Sequence, residues 1–436
     1  MVSRRLFLKW LSLSVAVGAV RCAANPVTGE SQIMLVSEEA EIKMDKKFSP
    51  QQFSTDLGAV QDTELNAYLQ RIGKNLSSRS HRPGMPYSFR AVNAAYVNAY
   101  AFPGGSIACT RGILLNLSDE SELAALLGHE LGHVNARHTA HQMSQGTLIS
   151  ALAVGVGAAV GTQNQDLGIL AGQLGMVGAG LFLASYSRDN ERQADALAME
   201  YMVRSGYHPQ GAIGLMDMLR KTSKERPNAL QLMFSTHPMS EERYNNLQDL
   251  AQSRYRGTPA KLINRERYLD QTARLRTIKG AILKMQNGET LMAQKKMGEA
   301  ETEFRGAVKQ APNDYGGLVL LSRCLLIQKK VDESLTYAQK AKEVYPQEAQ
   351  AYHLSGIARL QKKNFQGAFQ DFSAFEKILP GNPRTVFFKG LSMEGQNKKK
   401  EAAGFYVDYL QEVDQGDEAQ HAYKRLVEWG YIKTKK

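Results

Sequence analysis

Two histidines four positions apart, with a glutamate directly after the first, stand in His129-Glu130-Leu131-Gly132-His133. On a helix that spacing puts both imidazoles on one face, one turn apart, where they can bind a single Zn²⁺ ion. Glu130 lies beside them, placed to act as general base on a metal-bound water. The short pattern also recurs by chance, so its setting matters. Here it follows Ser118-Asp119-Glu120-Ser121-Glu122, which opens a long helix. Asp119 and Glu122 make a capping-box-like pair, and the acids suit the positive end of that helix.

A catalytic zinc takes a third protein ligand. It does not follow directly in the chain, where position 135 is Asn135 and position 139 is Thr139. It must come from another helix, and the segment from Ser187 to Asp195 (SRDNERQAD) supplies one. Glu191 and Asp195 stand one turn apart there. Glu191 can bind the metal, and Asp195 can hold a ligand imidazole through its other N–H. An acidic pair at this spacing is usually a solvated face; its company with the histidine pair favours the functional reading. His138 and His141 follow closely, but about 100° of rotation per residue turns both away from the ligand face. Neither is expected as a ligand.

These residues need elements to position them. Helical spacing covers 37–48, 62–76 and 187–205. Short apolar alternations within 85–115, interrupted by Pro103-Gly104-Gly105, predict a small sheet. The segment 147–184 is rich in Gly and Ala, with Asp166 its only ionised residue. Split by Gly161 to Asp166, its pieces fall short of a comfortable membrane span, which favours packed helices or a flap over a membrane hairpin. Beyond 281 a 34-residue repeat sets in. Pro312, Pro346 and Pro380 keep this spacing. So do Gly288, Ser322, Gly356 and Gly390; Ala300, Ser334, Ala368 and Ala402; and Phe304, Ala338, Phe372 and Tyr406. Small residues let paired helices approach, aromatics fill between repeats, and proline stops each second helix. This is the tetratricopeptide pattern, about four helix pairs over 281–416 with a capping helix at 417–431. The predicted fold is mainly α with a small β-sheet, a metallopeptidase domain followed by an α-solenoid.

The N-terminus is basic to Lys9, then apolar for 11 residues to Val20, which is the form of an export signal. Ser3-Arg4-Arg5-Leu6-Phe7-Leu8-Lys9 resembles a twin-arginine signal. Cys22 ends the apolar run where bacterial lipoproteins are acylated, although Arg21 before it is unlike the usual small residue. Cys109 and Cys324 read as buried free thiols. With 43% hydrophobic and 22% charged residues the chain can bury a sizeable core. The net charge of +11 is scattered over helix faces rather than clustered, which argues against nucleic acid as a partner. The domains are then an export signal at 1–24, a zinc metallopeptidase at 25–264, a linker at 265–280 and the repeats at 281–436.

The motif His129 to His133 with SRDNERQAD resembles the membrane-associated and periplasmic relatives of the CaaX-type prenyl proteases. So do Asn98 to Gly105 (NAYAFPGG), Asn25 to Gly29 (NPVTG), and Ser235-Thr236-His237-Pro238 with Glu241-Glu242-Arg243. With the repeats, the likeness is to the periplasmic metalloprotease-chaperones of outer-membrane biogenesis, the BepA type. The resemblance implies one zinc per chain on His129, His133 and Glu191, with Glu130 as catalytic base. Asp195 and His237 are further site candidates. His237 can be structural, an oxyanion stabiliser, or a reversible fourth zinc ligand. An edge strand near Ala101 to Thr110 is expected to pair with extended substrate backbone. The implied function is a cell-envelope zinc endopeptidase in quality control or outer-membrane protein assembly, acting on misfolded or assembling envelope proteins. The repeats would hold a protein partner, and Cys22 could anchor the chain to a membrane. The alternative is a chaperone or assembly scaffold with gated or silent proteolysis.

Overall fold

A computed structural model describes residues 22–144, 185–226, 230–259 and 261–432. The chain divides into two compact units, one spanning 19–286 and the other running from Asn287 to Lys436. Helices dominate, and a small sheet lies in the first unit.

The first unit opens on a hairpin, β1 (Cys22–Ala24) antiparallel to β2 (Ser31–Ile33). Helix α1 (Glu38–Thr55) starts at its cap Ser37 and passes Pro50, beyond the end expected at 48. Proline removes one helical hydrogen bond, but buried Gln52, Phe53 and Ser54 keep the last turn on the core. Helix α2 (Thr63–Ser77) is capped by Asp62. The sheet has the order β3–β5–β4, with β3 (Ser88–Val92) parallel and β4 (Ala99–Ala101) antiparallel to β5 (Ser106–Thr110).

This corrects the expected edge strand. Within 101–110 lies β5, the central strand, paired on both sides and closed to a further partner. The edge belongs to β4. Phe102 N–H bonds to Ser106 O and Thr110 N–H to Asn98 O. Antiparallel alternation then turns the peptide groups of Ala99 and Ala101 away from β5.

The remaining helices of this unit are α3 (Arg111–Leu114), α4 (Glu120–Asn135), α5 (Arg188–Arg204), α6 (Gln210–Glu225), α7 (Gln231–Thr236), α8 (Glu241–Ser253), α9 (Arg265–Gln271) and α10 (Ala273–Thr277). The last two occupy the stretch expected as a linker. It is packed instead: Tyr268 is fully buried, its hydroxyl donates to Leu114 O, and Arg276 donates to Leu117 O. Arg267 pairs with the buried Glu120 at the start of α4.

Four helix pairs follow: α11 (Lys279–Ala293) with α12 (Met297–Gln310), α13 (Tyr315–Ile327) with α14 (Val331–Val344), α15 (Gln350–Gln361) with α16 (Phe365–Ile378), and α17 (Pro383–Gly395) with α18 (Lys399–Glu412). Helix α19 (Asp417–Glu428) ends the array. The unit boundary falls inside α11. A Cβ added at Gly288, Gly356 or Gly390 would come within 2.5, 2.7 or 2.7 Å of Phe304, Phe372 or Tyr406. Each aromatic therefore fills its own helix pair, not only the space between repeats, although Phe372 also stacks on Phe388 at 5.1 Å. Where the aromatic shrinks to Ala338, the glycine becomes Ser322, whose hydroxyl bonds Ser334 O at 2.9 Å. A further 34-residue column is conformational: Lys295, Lys329, Lys363 and Asn397 turn each pair with φ between 58° and 62°.

Cys109 and Cys324 are buried free thiols. No helix among the described residues is long and apolar enough to cross a membrane. Most of the expected export signal and the Gly/Ala-rich segment lie outside the described residues.

Candidate active site

The site is carried by α4, which is buried along its whole length. Asp119 caps it by accepting from Glu122 N–H at 3.0 Å, while Glu122 accepts from Ser118 N–H at 2.7 Å. Helix α5 crosses close by because two glycines let it. A Cβ on Gly128 would lie 3.1 Å from Ala198, and one on Gly132 would lie 3.0 Å from Ala194. Gly132 sits inside the histidine motif, so the motif itself admits the helix that bears Glu191 and Asp195. Helix α5 starts on a capping box formed by Ser187 and Asn190.

The expected residues meet. His129 Nε2 and His133 Nε2 are 3.1 Å apart. Glu191 reaches them at 3.5 and 3.4 Å through its two carboxylate oxygens. His237, just after α7, adds its Nδ1 at 3.0 Å from Glu191 and 3.4 Å from His129 Nε2. One candidate ligand atom from each of these four buried residues lies within 4.8 Å of the others. Glu130 is buried beside them, 3.9 Å from His237 Nε2, and its Oε1 has no hydrogen-bond partner among the described residues. Asp195 accepts from His129 Nδ1 at 2.9 Å, the backing expected of it.

Three neighbours touch the cluster in ways the sequence reading did not assign. Arg243, near the start of α8, donates to both Asp195 oxygens at 2.7 Å and pairs with Glu191 at 2.6 Å. It also donates to Pro238 O at 3.0 Å, tying the His237 turn to α5. The signal available was charge: buried acids need a cation. Tyr186 stacks on His133 with ring centroids 3.8 Å apart, and its hydroxyl lies 3.0 Å from that of Thr139; no sequence pattern marks it. His138 was expected to point away, and it does not reach the ligand cluster, but it touches His133. The rotation argument failed because α4 ends at Asn135 and Arg137 turns the chain at φ 58°. Arg137 is held there by Glu41 and Val36 O.

Glu130, Glu191 and Asp195 are all buried, and the Arg243 guanidinium pairs with the last two. Burial raises the Glu130 pKa against the pull of His237 and His129. Burial acts likewise on Glu191, but His237 and His129 outweigh it and hold its pKa low. On Asp195 burial is outweighed by Arg243, again lowering the pKa. Burial opposes a proton on His129, yet Glu191 and Asp195 outweigh it and raise the pKa. His133 is pushed well down and His138 down to about 4, both chiefly by burial. A dication would take the nitrogens and carboxylate that converge here, displacing the proton that Glu191 and Asp195 otherwise hold on His129. The residues fit a metal.

Fold and site thus define a metallopeptidase. The chain belongs to Peptidase family M48, which matches residues 63–251. It is 30% identical to Metalloprotease YcaL of Escherichia coli over 191 residues, covering 44% of this chain and 72% of that one. It is 31% identical to a Putative beta-barrel assembly-enhancing protease of Vibrio cholerae, over 44% of this chain and 40% of the relative. A Beta-barrel assembly-enhancing protease of Yersinia pestis is 28% identical over 52% and 47% of the two chains. The match therefore spans less than half the length of these two relatives. Among solved structures, YrrB, described as a TPR protein, is 17% identical with a TM-score of 0.32, over 47% of this chain and 97% of that one.

Proposed function

We propose that this protein is a zinc-dependent endopeptidase of the bacterial cell envelope. His129, His133 and Glu191 would hold the ion, Glu130 is the general base, and Asp195 orients His129. The observation that carries the reading is the orphaned Glu130 Oε1, buried beside two imidazole nitrogens and a carboxylate. When bound, zinc supplies a Lewis acid for the scissile carbonyl and lowers the pKa of water. Glu130 takes the proton of the attacking water and passes it to the leaving amine. Its raised pKa suits a group that must give that proton back. Asp195, clamped by Arg243, keeps His129 oriented through Nδ1.

The substrates are misfolded or assembling envelope proteins, and the repeats hold a protein partner. The names of the relatives, beta-barrel assembly-enhancing proteases, favour outer-membrane protein assembly. Residues 1–24 direct export to the periplasm, and Cys22 is the point of lipid anchoring.

His237 bears on the gated alternative. Its Nδ1 lies among the ligand atoms, which favours a reversible fourth ligand that closes the water position. His237→Ala then raises basal casein hydrolysis. An oxyanion role predicts a roughly 10²–10³-fold loss instead, and a structural role predicts a lower melting temperature with activity following the folded fraction. For the function as a whole, a chelator should abolish casein hydrolysis and added zinc restore it. Hydrolysis unaffected by chelation at zero bound metal would overturn the reading.

A further inference from the structure

His138 has no part in the reaction above, yet it is buried and both its nitrogens are engaged. Its Nδ1 lies 2.9 Å from His133 Nδ1, and its Nε2 lies 2.8 Å from Gln193 Oε1. At such distances one atom of each pair must donate and the other accept. We propose that His138 and Gln193 form a neutral one-way relay that holds His133 as the Nδ1–H tautomer, with the Nε2 lone pair turned to the metal position. The inference rests on the zinc reading and adds two positioning residues to it.

The polarity follows from the far end. An amide oxygen only accepts, so His138 Nε2 carries the proton. A neutral imidazole has one N–H, so His138 Nδ1 is an acceptor. The proton between the two rings then belongs to His133 Nδ1. That leaves His133 Nε2 bare, 3.1 Å from His129 Nε2 and 3.4 Å from Glu191 Oε1. The stack of Tyr186 on the His133 ring holds its plane while the relay sets its proton.

The two ligand histidines are thus backed in different ways. His129 leans on the Asp195 carboxylate, itself clamped by Arg243. His133 leans on a relay that ends in an uncharged amide. A carboxylate there would add a further buried anion beside Glu191 and Asp195, and uncompensated buried charge is costly. Helix α5 supplies the ligand Glu191, the relay terminus Gln193 and the backing Asp195 from within two turns. The turn at Arg137 makes the relay reachable: a continued helix would carry His138 away from His133.

The test measures zinc affinity by chelator competition, together with the ¹⁵N signals of the His133 imidazole, on the full chain. His138→Leu should weaken zinc roughly 10–100-fold, the range for lost outer partners of metal ligands, and erase the single Nδ1–H signature of His133. His138→Asn places an acceptor oxygen near the lost Nδ1 and should restore most of both readouts. A purely structural role would give no such rescue. Wild-type affinity in His138→Leu, or equal loss in both variants, would overturn the relay. Should His138→Leu fail to fold, Gln193→Leu reads the same chain: weaker zinc supports it and unchanged zinc rejects it. Wild-type protein that binds no zinc would sink the metal reading itself, and the relay with it.

Discussion

The two compact units store their information differently. In the first, a few side chains from distant parts of the chain, such as His129, Glu191, His237 and Arg243, meet at one buried and charge-rich point. In the second, a small residue against a ring recurs at 34-residue spacing in three of the four helix pairs, Gly288, Gly356 and Gly390 against Phe304, Phe372 and Tyr406. The first unit crowds several buried ionised groups into one cluster, where partners compensate them, whereas buried acids of the second, such as Asp371 with Lys342 and Arg359, lie apart. The second spreads modest packing terms along an array in which each repeat meets mainly its neighbours. Damage should therefore be local in kind as well as in place. Changes at the site should alter metal and charge, and changes in the array should alter packing alone.

The sharpest break in that contrast comes from the ligands. His129→Ala and His133→Ala should each take bound zinc from near one per chain to near none, with casein hydrolysis lost alongside, as read by elemental analysis. Full zinc retention in both would reject the ligand set. Next is Arg243→Leu, which leaves Asp195 and Glu191 buried without their guanidinium. It should cost the metal-free first unit about 3–5 kcal/mol, seen by calorimetry as one transition moving while that of the repeats stays put. A shift of both transitions would deny the separateness of the units.

Gly356→Val is the matching change in the array. Its Cβ would meet the Phe372 ring at 2.7 Å, and such overpacking costs about 1–3 kcal/mol. The repeat transition should fall, with zinc content and hydrolysis of a short peptide unchanged. On the same view residues 277–436 alone should be helical by circular dichroism and melt cooperatively. The smallest effect belongs to Tyr186→Phe. It keeps the stack on His133 and loses the contact with Thr139, worth about 0.5–1.5 kcal/mol. Zinc should remain near one per chain; its loss would make Tyr186 part of the metal chemistry.

What could be read from the chain follows the same divide. The array was legible because columns such as Ala300, Ser334, Ala368 and Ala402 report helix contact directly. The turn column at Lys295, Lys329, Lys363 and Asn397 was not, since lysine carries no mark of a left-handed backbone. At the site, His129, His133, Glu191 and Asp195 were legible because each pair lies within one helix, where spacing fixes the face. Arg243 and Tyr186 reach the cluster only through tertiary packing, which spacing does not encode. His138 is outside the ligand cluster, as expected, but its contact with His133 was not legible because the helix ends at Asn135, three residues before it. The packing of 265–280 was not legible either, since Tyr268 is held by a long-range bond to Leu114 O.

One measurement bears most directly on the central claim, that a buried carboxylate beside a three-residue metal site hydrolyses peptide bonds. It is the turnover of casein by zinc-loaded wild type and Glu130→Gln at equal metal content. The amide preserves size and leaves His129, His133 and Glu191 in place, so zinc should stay near one per chain while turnover falls roughly 10²–10⁴-fold, the contribution of a general base. Glu130→Gln that binds zinc fully and cleaves casein at the wild-type rate would contradict the account.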